Sequence, residues 1–201
     1  MSQASDRAGW AAYYEKLRDR PPRRTVLAAL DRFDPLPDDP MAIDLGCGDG
    51  RDVVEILRRG WKIVAVDAEP EALRQLANRN LSNAERITPI NARFEDIPLP
   101  VGVQLVNSSF AMPLCEPEKF HALWERIVEG LPSGGRFSGQ WYGIRDSWNG
   151  RPGITFLERP AAEARLDGFD IEMFEEEEAD SVTPRGNPKH WHIFHIVARK
   201  R

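Results

Sequence analysis

The chain has 201 residues, with 27 lysines and arginines against 32 aspartates and glutamates and a formal net charge of −5. That length suits a single domain around one sizeable core, and the acidic balance argues against nucleic acid or an anionic membrane as a partner. The two cysteines, Cys47 and Cys115, indicate neither a disulfide framework nor a paired-cysteine zinc site. With no signal-like start and no apolar run of membrane-spanning length, we expect a cytoplasmic protein that acts on a small molecule or a protein.

Apolar runs of strand length alternate with segments of helical periodicity along the chain. The run at 41–45 between Pro40 and Gly46 is typical of a strand buried on both faces. Helices are predicted at about 9–19, 21–33, 52–59, 69–79, 117–129 and 160–168, and strands at 41–45, 61–67, 87–90, 103–108, 136–142, 169–174 and 191–198. The last two strands predict a hairpin. The alternation as a whole predicts a three-layer α/β sandwich around a mostly parallel sheet.

The densest motif lies between the first predicted strand and the helix that follows it. It is the run DLGCGDG at 44–50, and Asp67 ends the next strand. Glycines at such a turn let a ligand approach the backbone closely. Asp67 follows Gly50 by 17 residues, a position where a strand-end carboxylate accepts hydrogen bonds from ribose hydroxyls. The motif therefore predicts a ligand that contains adenosine.

The charge of this turn separates two adenosine cofactors. A dinucleotide would place its pyrophosphate at the helix N-terminus, where Asp44, Asp49 and Asp52 would repel it. The same carboxylates suit the ammonium group of S-adenosylmethionine and lie near its sulfonium. The charge pattern therefore favours S-adenosylmethionine over a nicotinamide dinucleotide.

These motifs resemble those of the class I S-adenosylmethionine-dependent methyltransferases, and the resemblance extends from Asp44 to about Lys200. A narrower likeness is to small bacterial enzymes similar to tellurite-resistance methyltransferases. The resemblance implies a Rossmann-like methyltransferase sandwich with a seven-stranded sheet in the order 3-2-1-4-5-7-6 and an antiparallel strand seven. It also implies that helices within residues 1–38 cap the cofactor site.

The resemblance further implies the cofactor contacts. Asp67 binds the ribose, the glycine loop contacts the cofactor through its backbone, and residues after the third strand frame the adenine. In the N-terminal helix, Tyr14 and Arg20 are the first candidates to meet the cofactor carboxylate, although the aromatic residues there can instead pin the helix to the body. The predicted cofactor residues are Tyr14, Arg20, Asp44, Gly46, Cys47, Gly48, Asp49, Gly50, Asp52, Asp67, Ala68, Arg93, Phe94, Glu95, Asn107 and Ser108.

Histidines and aromatic residues late in the chain are the candidates for acceptor chemistry. Methyl transfer from a sulfonium needs positioning and exclusion of water, and a base helps when the acceptor must lose a proton. Strand alternation puts His190 and His192 on one face and Trp191 and His195 on the other. We predict His190, His192 and Tyr142 as catalytic residues, with a structural role as the alternative, and we predict no metal. Trp141, Trp148, Arg145 and Asp146 suit an acceptor pocket beside Tyr142 or a loop packed on itself.

No pattern names the acceptor atom, because oxygen, nitrogen, sulfur and heavier chalcogen acceptors all use this scaffold. The run NSSF at 107–110 lacks the two prolines found in many enzymes that methylate exocyclic or amide nitrogen, which argues against that class.

The predicted function is in-line methyl transfer from S-adenosylmethionine to a small molecule, leaving S-adenosylhomocysteine. The alternatives are a non-catalytic module that binds S-adenosylmethionine and a protein, and a nicotinamide-dependent oxidoreductase. We expect one domain over 1–201, a monomer or homodimer, and no nucleic-acid or membrane partner.

Overall fold

The computed structural model describes residues 20–183 and 186–201. Its strands are β1 (Met41–Leu45), β2 (Lys62–Asp67), β3 (Ile87–Asn91), β4 (Leu105–Ser108), β5 (Arg136–Gly143), β6 (Phe156–Leu157), β7 (Phe169–Val182) and β8 (Pro188–Lys200). Its α-helices are α1 (Arg24–Leu30), α2 (Arg51–Arg58), α3 (Pro70–Ala77), α4 (Pro117–Gly130) and α5 (Arg159–Ala164). The helix predicted at about 9–19, with Tyr14, lies outside the described residues. Within them, no helix combines the length and the apolar character needed to cross a membrane.

All eight strands belong to one sheet with the order β3-β2-β1-β4-β5-β8-β7, and the two-residue β6 pairs with β5. The pairs from β3 to β5 are parallel, whereas β8 is antiparallel to both β5 and β7. The predicted order 3-2-1-4-5-7-6 is confirmed when the short β6 is left out of the numbering. The strand order reverses between β1 and β4, and sheets of this kind bind ligands beyond the carboxyl ends of the strands at such a point.

Helices cover both faces of the sheet because the strand residues are apolar on both sides. On one face, Trp124 of α4 packs edge-on against Trp141 of β5, with ring centroids 5.0 Å apart. On the other face, Val26 of α1 and Ile56 of α2 are fully buried in a cluster with Trp61. Each such side chain contributes about 1.5–3 kcal/mol by leaving water. The two covered faces leave the strand ends as the place for a ligand.

Strands β7 and β8 are longer than the predicted runs 169–174 and 191–198. The acidic run at 175–178, which follows the predicted strand 169–174, lies inside β7 at one edge of the sheet. Glutamate has a low preference for strands, but partners on β8 offset it, and His195 Nε2 lies 2.9 Å from Glu177 Oε2. Charges on an edge strand also discourage pairing with another chain.

Candidate functional site

A cavity of about 270 Å³ opens at the carboxyl ends of β1, β2 and β4. The predicted cofactor residues that line it are Asp44, Gly46, Cys47, Gly48, Asp49, Asp52, Asp67, Ala68, Arg93, Phe94 and Glu95. The other residues that line the cavity are Arg23, Arg51, Glu69, Ser109, Phe110, Ala111 and Leu114. Elements far apart in the sequence thus form one site at the reversal of strand order.

The loop at 46–50 needs glycine because its backbone passes through the left-handed region. Gly46, Gly48 and Gly50 have φ values of 78°, 56° and 86°. The N–H groups of Gly46 and Cys47 both donate to the carbonyl oxygen of Val66, each at 2.9 Å. A Cβ on Gly46 would overlap the Cβ of Ala111. The loop is therefore held between the end of β2 and the turn after β4.

We expect Gly46→Ala to lower the free energy of unfolding by about 3 kcal/mol, from left-handed strain and overpacking together. Gly150→Ala is the matched control, since Gly150 has a φ of 87° but a Cβ there meets nothing within 4 Å. The control should lose about 1–2 kcal/mol from the backbone alone. Urea unfolding measures both losses, and equal values would contradict the overlap with Ala111.

Asp67 ends β2 with its carboxylate at the cavity wall. Its Oδ2 accepts the N–H of Gly48 at 2.8 Å and its Oδ1 accepts the N–H of Glu69 at 2.9 Å. Burial raises the pKa of Asp67, and these backbone hydrogen bonds oppose the rise. Each carboxylate oxygen can accept more than one hydrogen bond. The group is therefore fixed in place and can still accept from two vicinal hydroxyls.

Two buried carboxylates, Asp44 and Asp52, share one amide partner. Asn107 Nδ2 donates to Asp44 Oδ1 at 2.8 Å and to Asp52 Oδ2 at 3.3 Å. Ser138 in turn donates to Asn107 Oδ1 at 2.7 Å, which orients the amide. Burial, and next the charge of Asp52, hold the pKa of Asp44 well above its usual range. Since both carboxylates border the cavity, a cationic ligand group there would relieve their repulsion.

The third acidic residue of the turn behaves differently from the prediction. Arg79 Nε donates to the carbonyl oxygen of Asp49 at 2.6 Å, and the guanidinium forms an ion pair with the Asp49 carboxylate. Asp49 is therefore neutralised by a neighbour 30 residues away. Of the three carboxylates predicted to repel a pyrophosphate, only Asp44 and Asp52 are therefore left to do so.

Beyond the glycine loop, the other predicted cofactor residues divide into two groups. Arg93 and Phe94 line the cavity, and Arg93 Nε donates to Glu95 Oε1 at 2.7 Å. Asn107 and Ser108 are fully buried behind the wall. Arg93, Phe94 and Glu95 thus face the ligand space, whereas Asn107 and Ser108 support its wall from behind. Gly50 and the exposed Arg20 do not line the cavity.

Phe110 forms the wall between the cavity and a neighbouring aromatic cluster. Its φ of 58° is a left-handed value that bulky residues rarely adopt. Its N–H donates to Gln140 Oε1 at 3.1 Å, and the Arg23 guanidinium carbon lies 4.4 Å from its ring centroid. These partners come from β5 and from the segment before α1, so no local pattern could have revealed them.

The predicted acceptor wall after β5 is the aromatic cluster on the far side of Phe110. The ring centroid of Tyr142 lies 6.4 Å from those of Phe110 and Trp148 and 6.3 Å from that of Trp191. Lys189 Nζ sits 4.0 Å from the Trp148 centroid and forms an ion pair with Asp146. Trp141, predicted for the same wall, points instead to the opposite face of the sheet and packs on α4.

The structure does not bring His190 and His192 to the cavity. Side chains alternate along β8, so both lie on the face of Trp141, away from Tyr142. Each ring contacts acidic side chains of β7 at 2.7–3.0 Å, and His192 Nδ1 accepts the backbone N–H of Arg145 at 3.0 Å. These contacts hold the hairpin and the loop after β5 together.

The sheet order is that of the Rossmann-like methyltransferase fold, and the acidic, glycine-lined cavity lies at its carboxyl-terminal edge. Residues 42–135 match the family described as methyltransferase domain. TehB from Haemophilus influenzae is similar in structure, with a TM-score of 0.72 at 16% identity over 88% of this chain and 61% of that chain. A putative S-adenosylmethionine-dependent methyltransferase from Listeria monocytogenes has a TM-score of 0.62 at 18% identity, over 88% of this chain and 99% of that chain.

A third similar structure is Burkholderia thailandensis 1,6-didemethyltoxoflavin-N1-methyltransferase with bound 1,6-didemethyltoxoflavin and S-adenosylhomocysteine. Its TM-score is 0.63 at 19% identity, over 98% of this chain and 88% of that chain. No curated protein sequence matches the chain, and the chain spans about 61% of the length of TehB. The predicted fold class is confirmed, and residues 42–135 match a methyltransferase domain, as the motifs led us to expect.

Proposed function

We propose that this protein transfers a methyl group from S-adenosylmethionine to a small-molecule acceptor at the cavity described above. The observation that carries the proposal is a single cavity bordered by the glycine loop, two buried carboxylates and the strand-end Asp67. When bound, the cofactor supplies an electrophilic methyl group on a sulfonium. A cytoplasmic location and a monomeric or homodimeric state stay predictions from the sequence.

The lining residues suit the parts of this cofactor. Asp67 accepts from the ribose hydroxyls, while Asp44 and Asp52 hold the ammonium group. Arg93 and Phe94 flank the adenine. The donor chemistry fits because carboxylates border the cavity where the ligand carries hydroxyls and a cation, and an aromatic ring borders it where the ligand carries a base.

The acceptor enters, in this proposal, on the β4 side of the cavity. The β1 and β2 sides carry the groups assigned to the cofactor, whereas Ser109, Phe110 and Arg23 belong to the rest of the wall. Tyr142 supports that wall through its contact with Phe110. A small acceptor suits an opening of this size, and the Burkholderia enzyme binds the small molecule 1,6-didemethyltoxoflavin. We assign His190 and His192 to the hairpin and not to the reaction.

We expect Asp67→Asn to weaken binding of S-adenosylhomocysteine about tenfold, because the amide lacks the charge and one of the two acceptor oxygens. 5′-Methylthioadenosine has the ribose and adenine but no amino-acid part. It should lose affinity to the same extent, because Asp67 is assigned to the ribose. Isothermal titration calorimetry of the folded variant measures both affinities.

Glu85→Gln is the control for this experiment, since Glu85 is exposed and does not line the cavity. It should bind both ligands as the unaltered protein does. Titration with NAD tests the dinucleotide alternative in the same instrument. Unchanged affinity in folded Asp67→Asn, or binding of NAD in place of S-adenosylhomocysteine, would contradict the proposed function.

A further inference from the structure

We propose that His195, oriented by Glu177, removes the proton from the methyl acceptor, so that the acceptor is a nucleophile with a removable proton on oxygen, nitrogen or sulfur. This inference rests on the proposed methyl transfer and names the substrate class of that same site. His195 lies on β8 opposite Gln140 of β5, on the face that carries Tyr142 and Trp191.

The ring of His195 has one engaged nitrogen and one without a partner. Nε2 lies 2.9 Å from Glu177 Oε2, and because an ionised carboxylate only accepts, Nε2 carries the ring proton. Nδ1 then holds a lone pair, and it is buried without a hydrogen-bond partner in the described part of the chain. The residue is 5% exposed. Buried polar atoms almost always have a partner, and the partner that the proposal gives this nitrogen is the proton of the acceptor.

His195 contacts the wall of the cavity. Its ring packs edge-on against Phe110, with centroids 6.3 Å apart and an interplanar angle of 80°, and Phe110 lines the cavity. Phe110 belongs to the β4 side, where the acceptor enters in the proposed function. His190 and His192 lie on the opposite face of the sheet, whereas His195 lies on the face that packs against Phe110.

Burial, and next the charge of Arg24, favour a neutral imidazole. Burial lowers the pKa of His195, and Arg24 of α1 acts in the same direction, while Glu177 and Glu175 of β7 oppose both. From β5 the facing residue is the uncharged Gln140, and beyond Phe110 lies the guanidinium of Arg23. A neutral imidazole can accept a proton, and Glu177 then stabilises the imidazolium.

The step balances in atoms and charge. A lone pair of the acceptor atom forms the bond to the methyl carbon, and the bond between that carbon and sulfur breaks. Its electron pair stays on sulfur, which becomes a neutral thioether. The acceptor proton moves to Nδ1 of His195, so the positive charge of the sulfonium ends on the imidazolium, which releases the proton to solvent afterwards.

The ring protonation is measured on the full chain bound to S-adenosylhomocysteine, by nitrogen NMR of the histidine rings across pH. We expect His195 to be the Nε2–H tautomer with an unprotonated Nδ1 at neutral pH, its signals being assigned by their loss in His195→Gln. An Nδ1–H tautomer or an imidazolium at neutral pH would overturn the proposal.

Activity is measured with radiolabelled S-adenosylmethionine and four probe acceptors: phenol, phenylmethanethiol and aniline, which carry a removable proton at neutral pH, and pyridine, which does not. We expect transfer to at least one of the first three, and a loss of about 100-fold at neutral pH in His195→Gln. The loss should shrink at high pH for phenol and phenylmethanethiol, because they ionise there without help. His121→Gln is the matched control, since His121 is an exposed helix residue paired with Glu125, and it should keep the full rate.

Glu177→Gln tests the role of Glu177 as the residue that positions His195. It also replaces His195→Gln as the test of the proposal if that variant does not fold. Loss of the carboxylate lowers the pKa of His195, so the acid limb of the pH–rate profile should move to lower pH, which a merely structural role would not cause. Three results would overturn the inference. The first is an equal rate in the unaltered protein and in His195→Gln, and the second is transfer to pyridine alone. The third is transfer to none of the four acceptors by a protein that binds S-adenosylhomocysteine. Failure to bind S-adenosylhomocysteine would overturn the proposed function instead.

Discussion

Lys189→Met is expected to lower the free energy of unfolding by about 3–5 kcal/mol, because it leaves the buried carboxylate of Asp146 without its cation. Both side chains of this ion pair have 0% exposure. Lys189 Nζ also lies 4.0 Å and 4.3 Å from the ring centroids of Trp148 and Trp191. Methionine keeps an unbranched stem among these rings, so urea unfolding of the variant reports the loss of charge more than the loss of packing.

Two further variants separate the ion pair from other causes. Lys62 pairs with Asp39 at 2.6 Å with side chains 44% and 68% exposed, so Lys62→Met should lose at most about 1 kcal/mol. Adding Asp146→Asn to Lys189→Met should recover most of the loss, because the amide oxygen can still accept a backbone N–H and carries no charge. Losses that simply add in the double variant would rule out the ion pair as the cause.

Asp44→Asn is expected to weaken binding of S-adenosylhomocysteine about 100-fold, because it removes a buried negative charge from the proposed ammonium site. Binding of 5′-methylthioadenosine should change little, since that ligand has no ammonium group. The pattern is thus the reverse of Asp67→Asn, which should affect both ligands alike. An equal loss of affinity for the two ligands in calorimetry would show that Asp44 does not bind the amino-acid part of S-adenosylhomocysteine.

The same substitution should stabilise the free protein at neutral pH. The pKa of Asp44 is raised in the folded state, chiefly by burial, so the folded protein holds this proton more tightly than the unfolded chain. The favourable contribution of protonated Asp44 is therefore lost as pH rises from the ordinary range of an aspartate through the raised pKa. Asparagine avoids that loss, and its amide oxygen can still accept the hydrogen bond from Asn107.

Ligand affinity has the opposite dependence on pH. An ammonium group binds the ionised carboxylate, so affinity for S-adenosylhomocysteine should fall as the solution is acidified through the raised pKa of Asp44. In Asp44→Asn this part of the pH dependence should disappear. A midpoint of thermal unfolding that falls in Asp44→Asn at neutral pH, or a pH dependence of affinity that persists in it, would contradict the assignment.

The glycine loop and Asp67 could be predicted because their signal is local. A strand, three glycines at left-handed positions and a carboxylate at the next strand end are separated by few residues, and the parallel pairing of β1 with β2 brings them together. The alternation of strands and helices likewise predicts the sheet order through the resemblance to known methyltransferases. The faces of the β8 histidines were also predictable, since side chains alternate along any strand.

Which face of β8 packs against the cavity-lining Phe110 was not predictable from that alternation. It depends on β8 lying between β5 and β7, and on α1 covering the side of Gln140, where Thr25 accepts a hydrogen bond from its amide at 2.8 Å. Sequence reasoning predicted His190 and His192 as catalytic residues, and the structure places both on the face away from Tyr142. Sequence reasoning also gave no signal for Arg23 above Phe110, because those residues are distant in the chain.

The sequence by itself determined the main helices and strands, their order and the acidic glycine turn, because these depend on periodicity, turn chemistry and neighbours within a few residues. Only the tertiary structure decided which charges are paired. Asp49 meets Arg79 across 30 residues and Asp146 meets Lys189 across 43, and both pairings follow from how the strands and loops pack. Burial and pairing set the free-energy cost of a charge and the protonation state of its group. The roles of the ionisable groups could therefore be assigned only once the fold had placed their partners.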